Sequence, residues 1–321
     1  MDHIVICIPI FDDWKSVTLL ADRLDSALRG MPQRFSLLLI DDGSNEAVPA
    51  ELERARETID RIDVVHLRCN LGHQRAIAMG LAYISAKIPC RAVVVMDADG
   101  EDDPSHVPEL VRRCEAQRYS RLIFAQRSKR SEGLVFRAGY AMFRILHRLL
   151  TGRDVQEGNF SIVPFEIVRR LVAVSELWNH YAASVFKAKL PTDGVSLPRA
   201  TRLAGESKMS FVSLITHGLS AISVFGEVVG IRILCSAGLV MIAGLLGLAA
   251  VVGIRLWTDL AIPGWATNAA GLLGLLLLNM FLFMTVATLF VLQSRDRYSF
   301  LPARDYEYYV LEKVTLYERD V

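Results

Sequence analysis

Residues 92–104, AVVVMDADGEDDP, constrain the fold of this chain more than any other stretch. Ala92 to Met96 is an unbroken apolar run rich in valine, which reads as a strand buried on both faces, as in a parallel sheet. It then breaks into five acidic residues within seven positions (Asp97, Asp99, Glu101, Asp102 and Asp103), punctuated by Gly100 and Pro104. The carboxyl end of a buried parallel strand is where open α/β sheets bind ligands. One small residue separates Asp97 from Asp99, so both carboxylates can reach a single hard cation. Taken alone, these residues are equally compatible with an acidic surface turn after a core strand.

The rest of the amino-terminal half repeats the pattern. Ile4 to Phe11 reads as a buried strand ending at Pro9, and residues 12–28 carry the helical spacing Val17, Leu20, Leu24, Leu28. Phe35 to Ile40 is a second strand running into Asp41-Asp42-Gly43-Ser44, and Glu51 to Ile59 reads as helix. A third strand over 64–67 precedes Asn70-Leu71-Gly72-His73-Gln74-Arg75, which opens a helix over 76–87. A helix over 107–116 and a strand over 122–125, ending in Gln126-Arg127, complete the series. Alternating strands and helices predict an α/β fold with a mostly parallel, Rossmann-like, doubly wound sheet. Ligand-type residues recur at its strand ends, which favours a site over a surface turn.

The carboxy-terminal third has a different character. Mean hydropathy is +0.31 although 22% of residues are charged. The excess is concentrated in two uncharged runs, 233–254 and 264–293. Each can cross a bilayer as a helix, which takes about 20 residues. The expected organisation is a head over 1–206, an amphipathic juxtamembrane helix over 207–230, and two transmembrane helices within 231–293 (about 232–255 and 267–293). A tail over 294–321 follows. Arg199, Arg202, Lys208 and Arg232 precede the first span, and Arg295, Arg297 and Arg304 follow the second. The short connection carries Trp257 and Trp265 as interfacial anchors. This pattern predicts a multi-pass membrane protein with head and both termini cytoplasmic. Met1-Asp2-His3 leads directly into a strand, so no signal peptide is expected. The five scattered cysteines have no metal-ligand spacing and read as reduced thiols, and a net charge of +1 without a basic block gives no sign of nucleic-acid binding. Gly238, Gly244, Gly247, Gly271 and Gly274 offer small contact faces through which the spans of separate copies could form a homo-oligomer.

IPIF (8–11), DDGS (41–44), NLGHQRAIAMG (70–80) and MDADGEDDP (96–104) occur in this order at the strand ends. As a set they resemble the inverting family-2 glycosyltransferases of the GT-A fold. With RLAGESKMS (202–210) and two terminal spans, the chain is most similar to the polyprenyl-phosphate glycosyltransferase branch, which includes dolichol-phosphate mannose synthase. The resemblance implies transfer of a sugar from UDP or GDP to a membrane polyprenyl phosphate. It implies that Pro9, Asp41, Asp42, Asn70 and Gly72 line the nucleotide pocket, and that Asp97 and Asp99 match the metal-binding DxD, with Glu101 as a further oxygen ligand. Mg2+ or Mn2+ suits such oxygen donors and a diphosphate. Arg127 matches a strand-end arginine that neutralises the departing phosphate. Arg137 falls in a stretch that resembles an active-site loop, and its implied role, with Arg202 and Lys208, is to hold the acceptor phosphate. Asp102 and Asp103 read as solvated or capping residues, and His73 as a surface residue at a helix start.

Asn159 stands where many relatives carry an acid. Asparagine cannot serve as a general base, but a phosphomonoester has a second pKa of about 6 and is already anionic at neutral pH. Such a nucleophile needs positioning more than deprotonation, so Asn159 suits a lipid-phosphate acceptor better than a sugar hydroxyl. Two alternatives remain. One is another membrane acceptor, such as a glycolipid hydroxyl, with Asp154 or Glu157 as base. The other is a non-catalytic membrane scaffold.

Overall fold

A strand with valine or isoleucine on both its faces is stable only between two apolar layers, and the central strands of the head have this arrangement. In the computed structural model, which describes residues 2–127, 144–152, 157–198, 200–204, 211–258, 262, 264–295 and 300–319, β1 (His3–Ile10), β2 (Arg34–Asp41), β3 (Ile59–Leu67) and β4 (Ala92–Val95) form a parallel core. Successive side chains point to opposite faces. Ile4, Ile6, Ile8, Leu37, Leu39 and Val94 meet α1 (Trp14–Ala27) and α3 (Val107–Ala116) on one side. Val5, Cys7, Leu38, Ile40, Val93 and Val95 meet α2 (His73–Lys87) and, later in the chain, α5 (Phe165–Leu171) on the other. Each such side chain contributes roughly 1.5–3 kcal/mol when fully buried.

β5 (Leu122–Arg127) is followed by a helix over 144–151, here α4, and then by β6 (Glu157–Pro164). After α5 come α6 (Tyr181–Lys187) and β7 (Thr192–Leu197), then α7 (Phe211–Ser223), α8 (Gly226–Trp257), α9 (Trp265–Arg295), α10 (Pro302–Asp305) and β8 (Val310–Glu318). The sheet has eight strands in the order β7-β5-β6-β4-β1-β2-β3-β8. It is mostly parallel, with β6 antiparallel to both β4 and β5, and β8 antiparallel to β3.

The structure departs from the sequence expectations at several places. Glu51 to Ile59 is not a helix: a single 3-10 turn spans Ala50–Glu53, and Ile59 already begins β3. Pro49 and the polar stretch after Glu53 leave no apolar stripe to hold a helix against the sheet. β6 and β7 lack a strong alternating signature and escape a reading by periodicity. The juxtamembrane helix ends at Ser223, and Val229 belongs to α8, because Ser223, Val224, Phe225 and Gly226 are weak helix formers in succession.

The chain divides into two units. The head comprises residues 1–141, 155–224 and 299–321. The tail therefore returns to the sheet, where β8 covers the edge of β3 and Phe300 and Tyr309 pack on Trp178, with ring centroids 3.9 and 5.3 Å away. The second unit, residues 142–154 and 225–298, contains α4, α8 and α9. Over Gly226–Trp257 and Trp265–Gln293 its two long helices are apolar enough to cross a membrane, and they are almost entirely unburied. Along their mutual contact, Gly230 leaves room for Val291 and Gly244 for Leu277. Gly271 and Gly274 face open space.

Candidate active site

Three loops converge at the carboxyl ends of β1, β2 and β4. The first is the turn after β2. Asp41 and Asp42 are both buried. Asp41 accepts from Ser44 N at 2.9 Å and lies 2.7 Å from His66 Nδ1. Asp42 accepts from Leu71 N and Gly72 N at 2.7 and 2.8 Å, so it builds the Asn70–Gly72 loop from within. Burial raises the Asp42 carboxyl above its usual range, and the two amides only partly offset this. Gly43, at φ +76°, could not carry a side chain: a Cβ there would sit 2.9 Å from Asn70 N. Asp12, itself at φ 48°, ties the turn down by accepting from Asn45 N at 2.7 Å. Pro9 is buried in β1, in register with Ile40, and Asn70 is exposed at the loop's tip.

The second loop is the acidic turn. Asp97 N donates to Asp102 Oδ2 at 3.0 Å, and Glu101 N donates to Asp99 Oδ1 at 3.0 Å. Asp102 is thus a buried strut rather than a solvated residue. Asp103 caps a short 3-10 turn by accepting from Ser105 N. Gly100, at φ +78°, lies directly under Leu203, whose Cγ would be 2.3 Å from a Cβ.

The third loop is residues 200–204, which lie on that turn. Leu203 N donates to Asp99 O, and Ala200 N to Glu101 O. Arg202 reaches Asp99 Oδ2 at 3.4 Å and Asp13 Oδ2 at 2.5 Å, while its Nε donates to Ala204 O. A residue expected at the acceptor phosphate is therefore also in contact with the second carboxylate of the DxD.

Asn159, on β6, joins a polar chain that crosses the site. Its Nδ2 donates to Asp97 Oδ1 at 3.3 Å and lies 3.0 Å from His73 Nε2. Its Oδ1 accepts from Gln74 Nε2 at 3.0 Å, and Gln74 Oε1 in turn accepts from Tyr181 N. His73 Nε2 lies 3.0 Å from Asp97 Oδ1. Partial burial works against the charged imidazole, but Asp97, with Asp102 and Asp99 behind it, more than reverses this and holds the pKa above its ordinary value. His73 is exposed at the first position of α2, as the sequence reading has it, and is in addition a member of the site. Gln74, Tyr181 and Asp13 also escape a sequence reading, since their partners lie 85, 107 and 189 residues away.

The backbone of Arg127 ends β5 in register with Leu197. Its side chain, like Arg137, Asp154, Arg199 and Lys208, lies outside the described residues. The acidic turn supplies oxygen donors only, from Asp97 and Asp99 with Glu101 beside them. Among the described residues, the Arg202 guanidinium and the His73 imidazole already lie against its carboxylates. Two carboxylates completed by a diphosphate and water are what Mg2+ or Mn2+ requires, so these residues fit such an ion.

Residues 5–173 match the profile described as glycosyl transferase family 2. A glycosyltransferase of Bacillus subtilis, YkcC, itself uncharacterized, is 25% identical over 82% of this chain and 80% of its own length. The undecaprenyl-phosphate 4-deoxy-4-formamido-L-arabinose transferase of Photorhabdus laumondii is 26% identical over 75% of this chain and 77% of its own. Among solved structures, glucosyl-3-phosphoglycerate synthase of Mycobacterium tuberculosis, crystallised with Mn2+, UDP-glucose and phosphoglyceric acid, superposes with a TM-score of 0.50. It is 18% identical and covers 71% of this chain and 80% of its own, which is a likeness of fold. The mostly parallel sheet, its acidic strand-end turns and the profile match over more than half its length make this chain a glycosyltransferase of family 2 with a GT-A head.

Proposed function

We propose that the protein moves one sugar, with inversion, from a UDP- or GDP-sugar to the phosphate of a membrane polyprenyl phosphate. The bond from the anomeric carbon to the donor diphosphate breaks, and the nucleoside diphosphate leaves with the electron pair. An oxygen of the acceptor phosphate forms the new bond from the opposite face. The observation that carries the acceptor is Asn159, whose amide donates to Asp97 at 3.3 Å from the β6 position facing the acidic turn. An amide there serves an acceptor that arrives already ionised. The Photorhabdus relative, named for transfer involving undecaprenyl phosphate, supports the same class.

In this reading Pro9, Asp41, Asp42, Asn70 and Gly72 form the nucleotide wall. Asp42 acts by shaping the loop, which leads into the start of α2, and a helix start suits phosphate. A divalent ion held by Asp97 and Asp99, with Glu101 alongside, would neutralise charge on the departing diphosphate. Asn159 and His73 orient Asp97 for that task. Arg127 adds positive charge on the leaving side, and Arg202, Arg137 and Lys208 receive the acceptor phosphate. A segment that touches both Asp99 and the acceptor would couple the two substrates.

The head and both termini lie on one side of the membrane, the cytoplasmic one. Support comes from the tail: the chain enters the hairpin from the head and returns to it as β8, so the spans are even in number. The arginines flanking the hairpin agree with this orientation.

The test is transfer of labelled sugar to undecaprenyl phosphate by purified protein with Mg2+ or Mn2+, across UDP- and GDP-sugars, with Asp99→Ala as control. A mild-acid-labile lipid product made only by the intact enzyme is expected. Metal-dependent nucleotide binding without that product would discard the acceptor. Loss of activity toward a glycolipid on replacing Glu157 or Asp154 would favour a hydroxyl acceptor.

A further inference from the structure

Gln74 is the second residue of α2 and only 9% exposed. A side-chain amide placed there is costly unless both its ends find partners. Its Oε1 accepts from Tyr181 N at 2.7 Å, and its Nε2 donates to Asn159 Oδ1 at 3.0 Å. Tyr181 N is one of the donors that the first turn of α6 leaves without a helical partner. Gln74 thereby completes a helix start from outside that helix, beside the His180 side chain, whose Nδ1 accepts from Ala183 N. Tyr181 itself is fully buried, and its hydroxyl lies 2.7 Å from Ser161 Oγ, which donates to Asn159 O at 2.9 Å. Asn159 is thus tied to Tyr181 twice, through its backbone by Ser161 and through its side chain by Gln74.

The two ends of this chain of contacts have fixed polarity. A backbone N–H only donates and a carboxylate only accepts, whereas a side-chain amide offers a donor and an acceptor of nearly equal shape. Tyr181 N therefore selects the oxygen of Gln74, which turns the Gln74 nitrogen to Asn159. That nitrogen selects the oxygen of Asn159, which leaves Asn159 Nδ2 for Asp97 Oδ1 at 3.3 Å. Reversing either amide alone sets donor against donor or acceptor against acceptor, and reversing both does so at the two ends. His73 Nε2, 3.0 Å from Asn159 Nδ2, does not discriminate, because an imidazole nitrogen accepts or donates according to its protonation.

We propose that Gln74 is a positioning residue, a relay that carries the polarity of Tyr181 N to Asn159 and keeps an N–H, not a carbonyl, toward Asp97. This rests on the reading of Asp97 as a ligand of the divalent ion and of Asn159 as its support. Asp97 by itself selects the same face of Asn159 only while its negative charge dominates. A bound cation offsets that charge, and the anchor at Tyr181 N, remote from the ion, then holds the amide. With the amide reversed, Asn159 Oδ1 would repel Asp97 Oδ1 and turn the carboxylate from its place.

The test compares Gln74→Met and Gln74→Glu, each alone and combined with Asn159→Ala, in the full chain. Mn2+ affinity is read by electron spin resonance, and initial rates by transfer of labelled sugar to undecaprenyl phosphate at pH 8. Gln74→Met removes both contacts. Gln74→Glu, as a carboxylate, still accepts from Tyr181 N but cannot donate to Asn159. Both are expected to weaken Mn2+ binding and slow transfer about tenfold, the scale of losing a group that orients a metal ligand. Neither is expected to add a further loss once Asn159 is alanine, because residues that act through one another are not additive. An equal loss from Gln74→Met in both backgrounds, or parental Mn2+ affinity in Gln74→Glu, overturns the relay and leaves Gln74 as a support of α6. Parental affinity and rate in Asn159→Ala overturn the reading of Asn159 and the relay with it. If the intact protein makes no lipid product, the proposed acceptor fails, and the Mn2+ titrations still decide the relay.

Discussion

Arg202 Nη1 lies 3.4 Å from Asp99 Oδ2 although 103 residues separate them, and the same guanidinium is held by Asp13. The cation expected at the acceptor thus rests against a carboxylate expected at the donor. Replacing Arg202 with glutamine removes a charge from both functions. Transfer to lipid phosphate is expected to fall about 100-fold, the scale of losing one group that stabilises developing charge. Mn2+ is expected to bind no more weakly, because Asp99 loses a competing cation. Initial rates and the Mn2+ electron spin resonance signal check the two parts separately.

Asn159→Asp would place a second carboxylate at the position from which Asn159 now donates to Asp97. Repulsion disfavours this pair of like charges. The rate is expected to fall about tenfold or more, whereas an enzyme that needed a base at this position would gain. In the parent enzyme, transfer is expected to rise with pH through about 6, as the acceptor phosphate takes its second negative charge. Steady-state rates between pH 5 and 8 decide the point.

Gly43→Ala forces a side chain into φ +76° and to 2.9 Å from backbone at Asn70. The conformational penalty alone is about 1–2 kcal/mol, and displacement of the Asn70–Gly72 loop adds to it. Thermal unfolding is expected to shift downward, and nucleotide binding to weaken more than the stability change explains. Calorimetry on the purified variant measures both.

Burial pushes the Cys7, Cys90 and Cys114 thiols up to about 12, whereas Cys69 is exposed on the head. At pH 7.5 maleimide is expected to modify Cys69 within minutes and to leave those three unmodified until the head unfolds. Peptide mass spectrometry reads the pattern.

Trp178 joins the head to its tail, stacked among Phe300, Tyr309 and Arg75. Trp178→Ala is expected to cost about 3–5 kcal/mol and to release the tail first. Hydrogen exchange should show β8 losing protection at lower denaturant than β1. Equal loss across the sheet would refute the tail as a separately weakened element.

The legible parts of this protein were those in which neighbours along the chain do the work. The strand of Val93 to Val95 is apolar on both faces, the helix of Val17, Leu20 and Leu24 repeats its stripe, and the spans carry no charge for more than twenty residues. The strand-end carboxylates are legible because acid after an apolar run is itself a local pattern. β6 and β8 are less so. β8 has residues of mixed polarity on both faces, because its place is at an edge with part of its surface in water.

The sequence by itself determined an α/β head with acidic strand ends, two bilayer-length helices and membership in a resemblance that the family match bears out. Only the tertiary structure decided which of those residues meet. It turned Asp42 inward onto the loop of Leu71 and Gly72, set His73 and Asn159 on Asp97, and brought Arg202 to Asp99. It also carried the tail back to β3 and gave α4 to the spans. The physical reason is range. Hydrophobic periodicity is written within a turn or a strand, whereas a hydrogen bond between distant residues depends on the packing of every element that brings them together.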